Sequence, residues 1–238
     1  MERSPFRAIL SLLIGTHSTN FAAHMRSRNL LPLALLVSTA LSAVSAFAGD
    51  DDKKTVAPII QDPLTKGMAE IEVLGGYMHS PVVMGGGKRP EFDYAGGDVR
   101  WGYIITPALL DQSFLRGDFE VLLDGFGDGV TSGPGSYLAG GSLLFRYNFF
   151  HPGSRIIPYI QAGGGGLHSD AVEDQSQRLI GGDFEFILEG DIGLRFILND
   201  RWSILAEGSF QHISNADTAA RNVGVNALGG RVGVGWIY

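Results

Sequence analysis

The chain has 238 residues, 34 of them glycine and none cysteine, with 18% of positions charged and a formal net charge of −7. That length suits one medium-sized domain, the acidic balance argues against nucleic acid as a partner, and the lack of cysteine excludes a disulfide framework. Past residue 48 no apolar run approaches the roughly 18–20 residues that a spanning helix needs, so a chain of this composition crosses a membrane only as strands.

The N-terminal region reads as a targeting signal. Met25-Arg-Ser-Arg-Asn, the apolar stretch LLPLALLVSTALSA and the small-residue pair Ala46-x-Ala48 follow in the order that a secretory signal peptide requires. Residues 1–48 are therefore expected to be removed, with the mature chain beginning near Gly49. Met25 alone opens a complete signal, which makes residues 1–24 redundant and Met25 the expected true start; one long signal is the alternative. Removal takes four of the 18 basic residues and one of the 25 acidic ones, leaving 14 and 24 and a mature net charge of −10. Residues 49–68 contain the run Asp50–Asp52 together with Pro58 and Pro63, and read as a flexible periplasmic lead-in, the acidic run being solvated linker rather than a metal site.

From residue 69 the dominant period is two, with alternating segments at about 69–79, 92–105, 114–125, 136–150, 156–168, 183–198, 201–214 and 225–238, separated by Gly, Pro, Asp, Asn and Ser. In 183–198 Phe184, Phe186, Leu188, Ile192, Leu194, Phe196 and Leu198 share one parity, opposed by Asp183, Glu185, Glu189, Asp191 and Arg195. Successive strand side chains point to opposite faces, so one face is apolar and the other charged. In 114–125 Arg116, Asp118, Glu120 and Asp124 oppose Leu115, Phe119, Val121 and Leu123; in 136–150 the outward set is Tyr137, Ala139, Leu143, Phe145, Tyr147 and Phe149. The glycine-rich segment 156–168 is expected to carry a bulge or bend.

Two closed architectures fit eight such segments. A soluble lipocalin-like barrel would turn the apolar parity inward around a ligand; an outer-membrane barrel turns it outward into lipid. Charge decides between them: Glu70, Glu72, Asp98, Arg100, Glu207 and Arg231 join the charged parity above, a mixed-sign set suited to a crosslinked lumen, while the other parity is nearly uncharged. The expectation is an all-β, eight-stranded antiparallel transmembrane β-barrel over residues 69–238, in the bacterial outer membrane. Its lumen is filled by side chains, which disfavours a transport pore.

The final hairpin breaks the pattern. On 201–214 the apolar parity reads Trp202, Ile204, Ala206, Phe210, then His212 and Ser214; on 225–238 it reads Asn226, Leu228, Val232, Val234 and Trp236. Glu207 lies on the lumen parity. A histidine and a serine two apart on one strand face are about 7 Å apart at Cα, close enough for a base to meet a nucleophile. Three polar groups thus cluster where hydrocarbon is expected. The segment HISNA (212–216), the following NVGVNALGGRVGVGWIY and its aromatic C-terminal residue resemble the last hairpin of the lipid A 3-O-deacylase family (PagL type, grouped with acyloxyacyl hydrolase domains), outer-membrane barrels that remove an ester-linked acyl chain from lipid A. The local match covers roughly the last 30 residues.

The resemblance implies His212 as general base, Ser214 as nucleophile and Asn215 as oxyanion donor, with lipid A or lipopolysaccharide as the partner in the outer membrane, no cofactor and no metal, and a monomer or homodimer. The family's third member is a glutamate, and Asn226 stands in its place. A neutral amide can hold an imidazole but cannot stabilise imidazolium by charge; Asp217 in the same loop is the alternative acid. The rival reading is a non-enzymatic structural barrel in which these polar residues only mark the membrane interface. Other candidates are weaker. His79-Ser80 and His168-Ser169 are adjacent pairs that a strand sends to opposite faces, glycines 163–166 lack the Lys-Ser/Thr of a phosphate loop, and His17, His24, His79, His151 and His168 show no metal-ligand spacing.

Overall fold

The computed structural model describes residues 61–81 and 91–238; the expected signal peptide and most of the expected lead-in lie outside the described residues. Eight strands follow one another: β1 (Ala69–Ser80), β2 (Phe92–Ile104), β3 (Gly117–Ser132), β4 (Tyr137–Phe149), β5 (Ile156–Ser169), β6 (Phe184–Ile197), β7 (Trp202–Ser214) and β8 (Val225–Ile237). Each pairs antiparallel with the next, and β1 closes on β8 from Glu70↔Ile237 to His79↔Leu228. Among the described residues no helix is long and apolar enough to cross a membrane. Closure leaves no strand edge, which is the one way a sheet satisfies its backbone in hydrocarbon. We call the end bearing the β1–β2, β3–β4, β5–β6 and β7–β8 loops the upper rim.

Burial runs opposite to that of a water-soluble barrel. Ile192, Leu188 and Val99 are 70%, 60% and 57% exposed on the outside, while Arg100, Arg146 and Arg195 are fully buried within. Near the lower rim, Trp101 stacks on Tyr103 and Trp236 on Tyr238, and the Trp101 indole donates to the Tyr238 hydroxyl at 3.0 Å. Aromatic side chains with a polar tip suit the boundary between hydrocarbon and headgroups.

The lumen is solid. Arg146 grips Glu72 with two nitrogens at 2.6 and 2.9 Å, donates to Gln161 at 2.8 Å, and lies 4.4 Å from the Tyr159 ring centre. Arg195 binds Glu70 and reaches Glu72 at 3.2 Å, Arg100 binds Glu207 at 2.6 Å, and Arg231 binds Asp98 at 2.9 Å. Apolar clusters seal this charged middle. Below lie Leu64, Ile104, Phe150, Ile157 and Ile237; above are Phe92, Tyr94, Leu138, Leu179, Ile180, Ile213 and their neighbours.

The structure corrects the sequence reading in five places. β3 begins at Gly117 rather than 114 and continues to Ser132 rather than 125: GDG at 127–129 has turn composition, yet it pairs on both sides, with β2 and β4, and pairing overrides local propensity. β5 is not bulged; it holds unbroken register with both neighbours, and the register shift lies between Asp93 and Tyr94 on β2. The β5 glycines serve close approach instead, since a Cβ on Gly165 would lie 1.9 Å from the Gly141 carbonyl oxygen. Asp183 lies just before β6 and is exposed, outside the lumen set. Residues 61–68 are fastened rather than flexible, because Leu64 is buried in the lower cluster and Asp62 pairs with Arg116 at 2.8 Å. A 3-10 turn at Asp170–Glu173, capped by the Ser169 hydroxyl, was not expected.

Removing one partner of a buried ion network strands the other. Arg146→Met should therefore lower unfolding stability by ~3–5 kcal/mol, read as a shift of the urea midpoint in detergent. Phe145→Leu, on the neighbouring outward position, should leave that midpoint nearly unchanged.

Candidate active site

The β7–β8 register sets the site. His212 on β7 lies directly opposite Asn226 on β8, and both belong to the outward parity. The His212 Nδ1 is 2.7 Å from Asn226 Oδ1, and its Nε2 is 3.1 Å from Ser214 Oγ. An amide oxygen accepts only, so this contact puts the ring proton on Nδ1 and leaves Nε2 unprotonated, able to accept the Ser214 hydroxyl proton. The result is an unbroken chain of hydroxyl, imidazole and amide on the outside of the barrel.

The surrounding wall is apolar. β6 places Leu188 opposite His212 and Phe186 opposite Ser214, and Phe210 and Leu228 face each other below. All four are more than a third exposed, so the hydroxyl sits at the head of a greasy surface running down the barrel.

The loop after Ser214 is shaped by its backbone. Ala216 and Asp217 have φ of 52° and 63°, left-handed values that side-chain-bearing residues rarely adopt and that cost of order 1–3 kcal/mol each. Gly224, at φ 71°, packs behind the site: a Cβ there would meet the Ile213 carbonyl oxygen at 2.9 Å and lie 3.5 Å from His212 Cε1. Only glycine combines that angle with that proximity.

Of the four residues expected at the site, the structure brings together His212, Ser214 and Asn226. Asn215 is not with them. It is buried on the opposite side, its side-chain nitrogen donating to the Arg221 carbonyl at 2.8 Å and its backbone N–H to Asn222 Oδ1 at 3.0 Å. Asp217 is not on His212 either, because it accepts from Asn222 Nδ2 at 2.8 Å. Glu207 lies in the lumen on Arg100. His168 and Ser169 point to opposite faces, His168 against the Phe184 ring and Ser169 onto the Ala171 N–H. The metal-capable group among the described residues, His79, Glu91 and Asp93, lies apart from these three on the β1–β2 rim.

Sequence reasoning also missed the strap that holds the loop. The Arg221 guanidinium donates to the carbonyls of Asp174 at 2.8 Å and Val172 at 2.9 Å, while Val223 and Gly224 donate backbone N–H groups to Arg178 and Leu179 at 3.0 and 2.9 Å. The β5–β6 and β7–β8 loops thereby form one cover over the upper cluster. In that cover Asp174 is held below the usual carboxylate range by the Ser176 hydroxyl, and Asp170 likewise by Ser136, so both stay ionised at neutral pH.

A family model described as lipid A 3-O-deacylase (PagL) matches residues 98–235, more than half of the chain. Comparison with curated protein sequences finds no match. Among solved structures, the outer-membrane enzyme PagL aligns at TM-score 0.47 and 18% identity, covering 69% of this chain and 97% of its own. Neisserial surface protein A aligns at 0.47 and 13%, covering 72% and 96%. OprG from Pseudomonas aeruginosa aligns at 0.44 and 12%, covering 75% and 99%.

Breaking the strap should loosen the cover without unfolding the barrel. In Arg221→Ala, trypsin should cut after the exposed Arg178 on the order of tenfold faster, as expected when local opening becomes easier. An unchanged rate would show that the backbone pairs alone hold the loop.

Proposed function

The chain belongs to the lipid A 3-O-deacylase (PagL) family and is a bacterial outer-membrane protein; on that premise we propose that it is a serine esterase that removes the 3-O-linked acyl chain of lipid A within the outer leaflet. The observation that carries this reading is the hydrogen-bonded series Ser214–His212–Asn226 on the lipid-facing wall. A soluble substrate would have no reason to meet a nucleophile there, whereas a lipid diffuses to it sideways.

The chemistry follows from the positions of the protons. His212 Nε2 takes the Ser214 proton as Oγ attacks the ester carbonyl carbon, forming a tetrahedral oxyanion. The intermediate collapses as the C–O bond to the sugar breaks and Nε2 returns the proton to the departing sugar oxygen. Water, deprotonated by the same nitrogen, then attacks the acyl-serine, freeing the fatty acid and restoring Ser214. Asn226 Oδ1 holds the Nδ1 proton throughout and fixes the ring. With Asn215 spent inside the loop, the oxyanion donors in this reading are the Ala216 and Asp217 amides, in the left-handed turn just beyond the nucleophile. The acyl chain transferred to Ser214 would lie along Phe186, Leu188, Phe210 and Leu228.

Purified protein incubated with lipid A should yield a product lighter by one hydroxyacyl chain in mass spectra, and Ser214→Ala should yield none. Equal spectra from both would return the chain to the reading of a structural barrel. Asn226→Glu supplies the charge that the amide lacks for the imidazolium, and should raise kcat about tenfold with little change in KM, since a charge-assisted hydrogen bond is roughly twice as strong as a neutral one.

A further inference from the structure

We propose that His79, Glu91 and Asp93 form a divalent-cation site of the Zn²⁺ class on the outer wall of the upper rim, separate from His212 and Ser214. Pairing of β1 with β2 sets His79 directly opposite Asp93, and Glu91 enters from the residue preceding β2. These residues are up to 14 apart in sequence, so no local spacing announces the group. His79 Nδ1 is 2.8 Å from Asp93 Oδ1 and 3.8 Å from Glu91 Oε1, and the three donor atoms lie within 4.8 Å of one another. A tetrahedral cation with bonds of about 2.1 Å separates its ligand atoms by about 3.4 Å, a value those two distances bracket.

The surroundings are those of a held ligand. Asp93 is an outward-parity carboxylate, yet its side chain is only 4% exposed. Its Oδ2 accepts from the Tyr77 hydroxyl at 2.6 Å, and its Oδ1 accepts from the Ser80 N–H at 3.2 Å. A hydroxyl on the far oxygen orients the carboxylate as outer partners of metal ligands do. Charge argues the same way. Two adjacent carboxylates, one of them buried, repel each other, and a divalent cation between them cancels their charge. Imidazole with two carboxylate oxygens suits Zn²⁺ or Mn²⁺ better than an ion that takes oxygen alone, and three protein ligands leave one position open outward. Because His79 pairs with Leu228 on β8, two residues along from Asn226, the cation would brace β8, the strand whose Asn226 faces His212 on β7.

The inference stands whether or not the esterase reading does, and its test reads metal rather than turnover. Tag-free, chelator-treated full-length protein in detergent is titrated with ZnCl₂ by calorimetry. About one equivalent should bind, and the thermal unfolding midpoint should rise with zinc. His79→Ala and Asp93→Asn should abolish uptake, Tyr77→Phe should weaken it about 10–100-fold, and His151→Ala should leave it unchanged. Heat-modifiable gel mobility verifies closure of each barrel; should Asp93→Asn fail to close, the half-exposed His79 decides alone. Lack of stoichiometric uptake by folded wild-type protein, or uptake that survives His79→Ala, overturns the proposal.

Discussion

Closure of β1 onto β8 is the constraint on which the rest depends. A sheet in hydrocarbon must pair every backbone group within itself, and eight strands that close do so. Once closed, a strand has two environments and nothing between them, so each residue's parity decides whether it meets lipid or lumen. The mixed charges then have one place to go. They neutralise one another around Arg146, Arg195 and Glu72, capped by apolar side chains at both ends, and a middle so filled offers no aqueous route.

That same division makes the outward polar residues informative. A lone histidine on the lipid face would leave ring nitrogens unsatisfied; His212 has both engaged, by Asn226 and Ser214. The amide in the acid's position acquires a physical meaning here. Beside Phe186 and Leu188, a carboxylate would face a desolvation cost that an amide largely escapes, while a carboxylate would better support imidazolium. On the esterase reading, Asn226 therefore favours a wall that is stable before reaction over one best matched to the charged intermediate.

How much of this was legible in the sequence follows from the range of each interaction. The period of two in DFEFILEG and its counterparts reports local geometry, so barrel, parity and the shared face of His212 and Ser214 could all be read directly. Asn226 was legible because it shares the outward parity on the strand that follows that of His212 in the chain. The extension of β3 was not, since only neighbours on both sides make GDG a strand. Nor could sequence tell that Asn215 is a loop brace: its partners, Arg221 and Asn222, depend on a turn with two unusual φ values. His79 was set aside on spacing, and spacing cannot show that strand pairing places it beside Asp93 and Glu91.

These longer-range contacts converge on the upper rim, and their arrangement separates rigidity from access. Leu179 and Ile180 drop from the β5–β6 loop into the apolar cluster, and Arg221 ties that loop to the segment following Ser214. Ser214 is thus anchored through the barrel's filled interior, while its hydroxyl faces outward beside exposed phenylalanine and leucine. A site built on a strand end and braced from behind keeps its geometry as lipids exchange in front of it. On the esterase reading proposed above, Ser214 and His212 need no lid that opens, because the membrane itself supplies the low-dielectric surroundings that a soluble enzyme must create by closing.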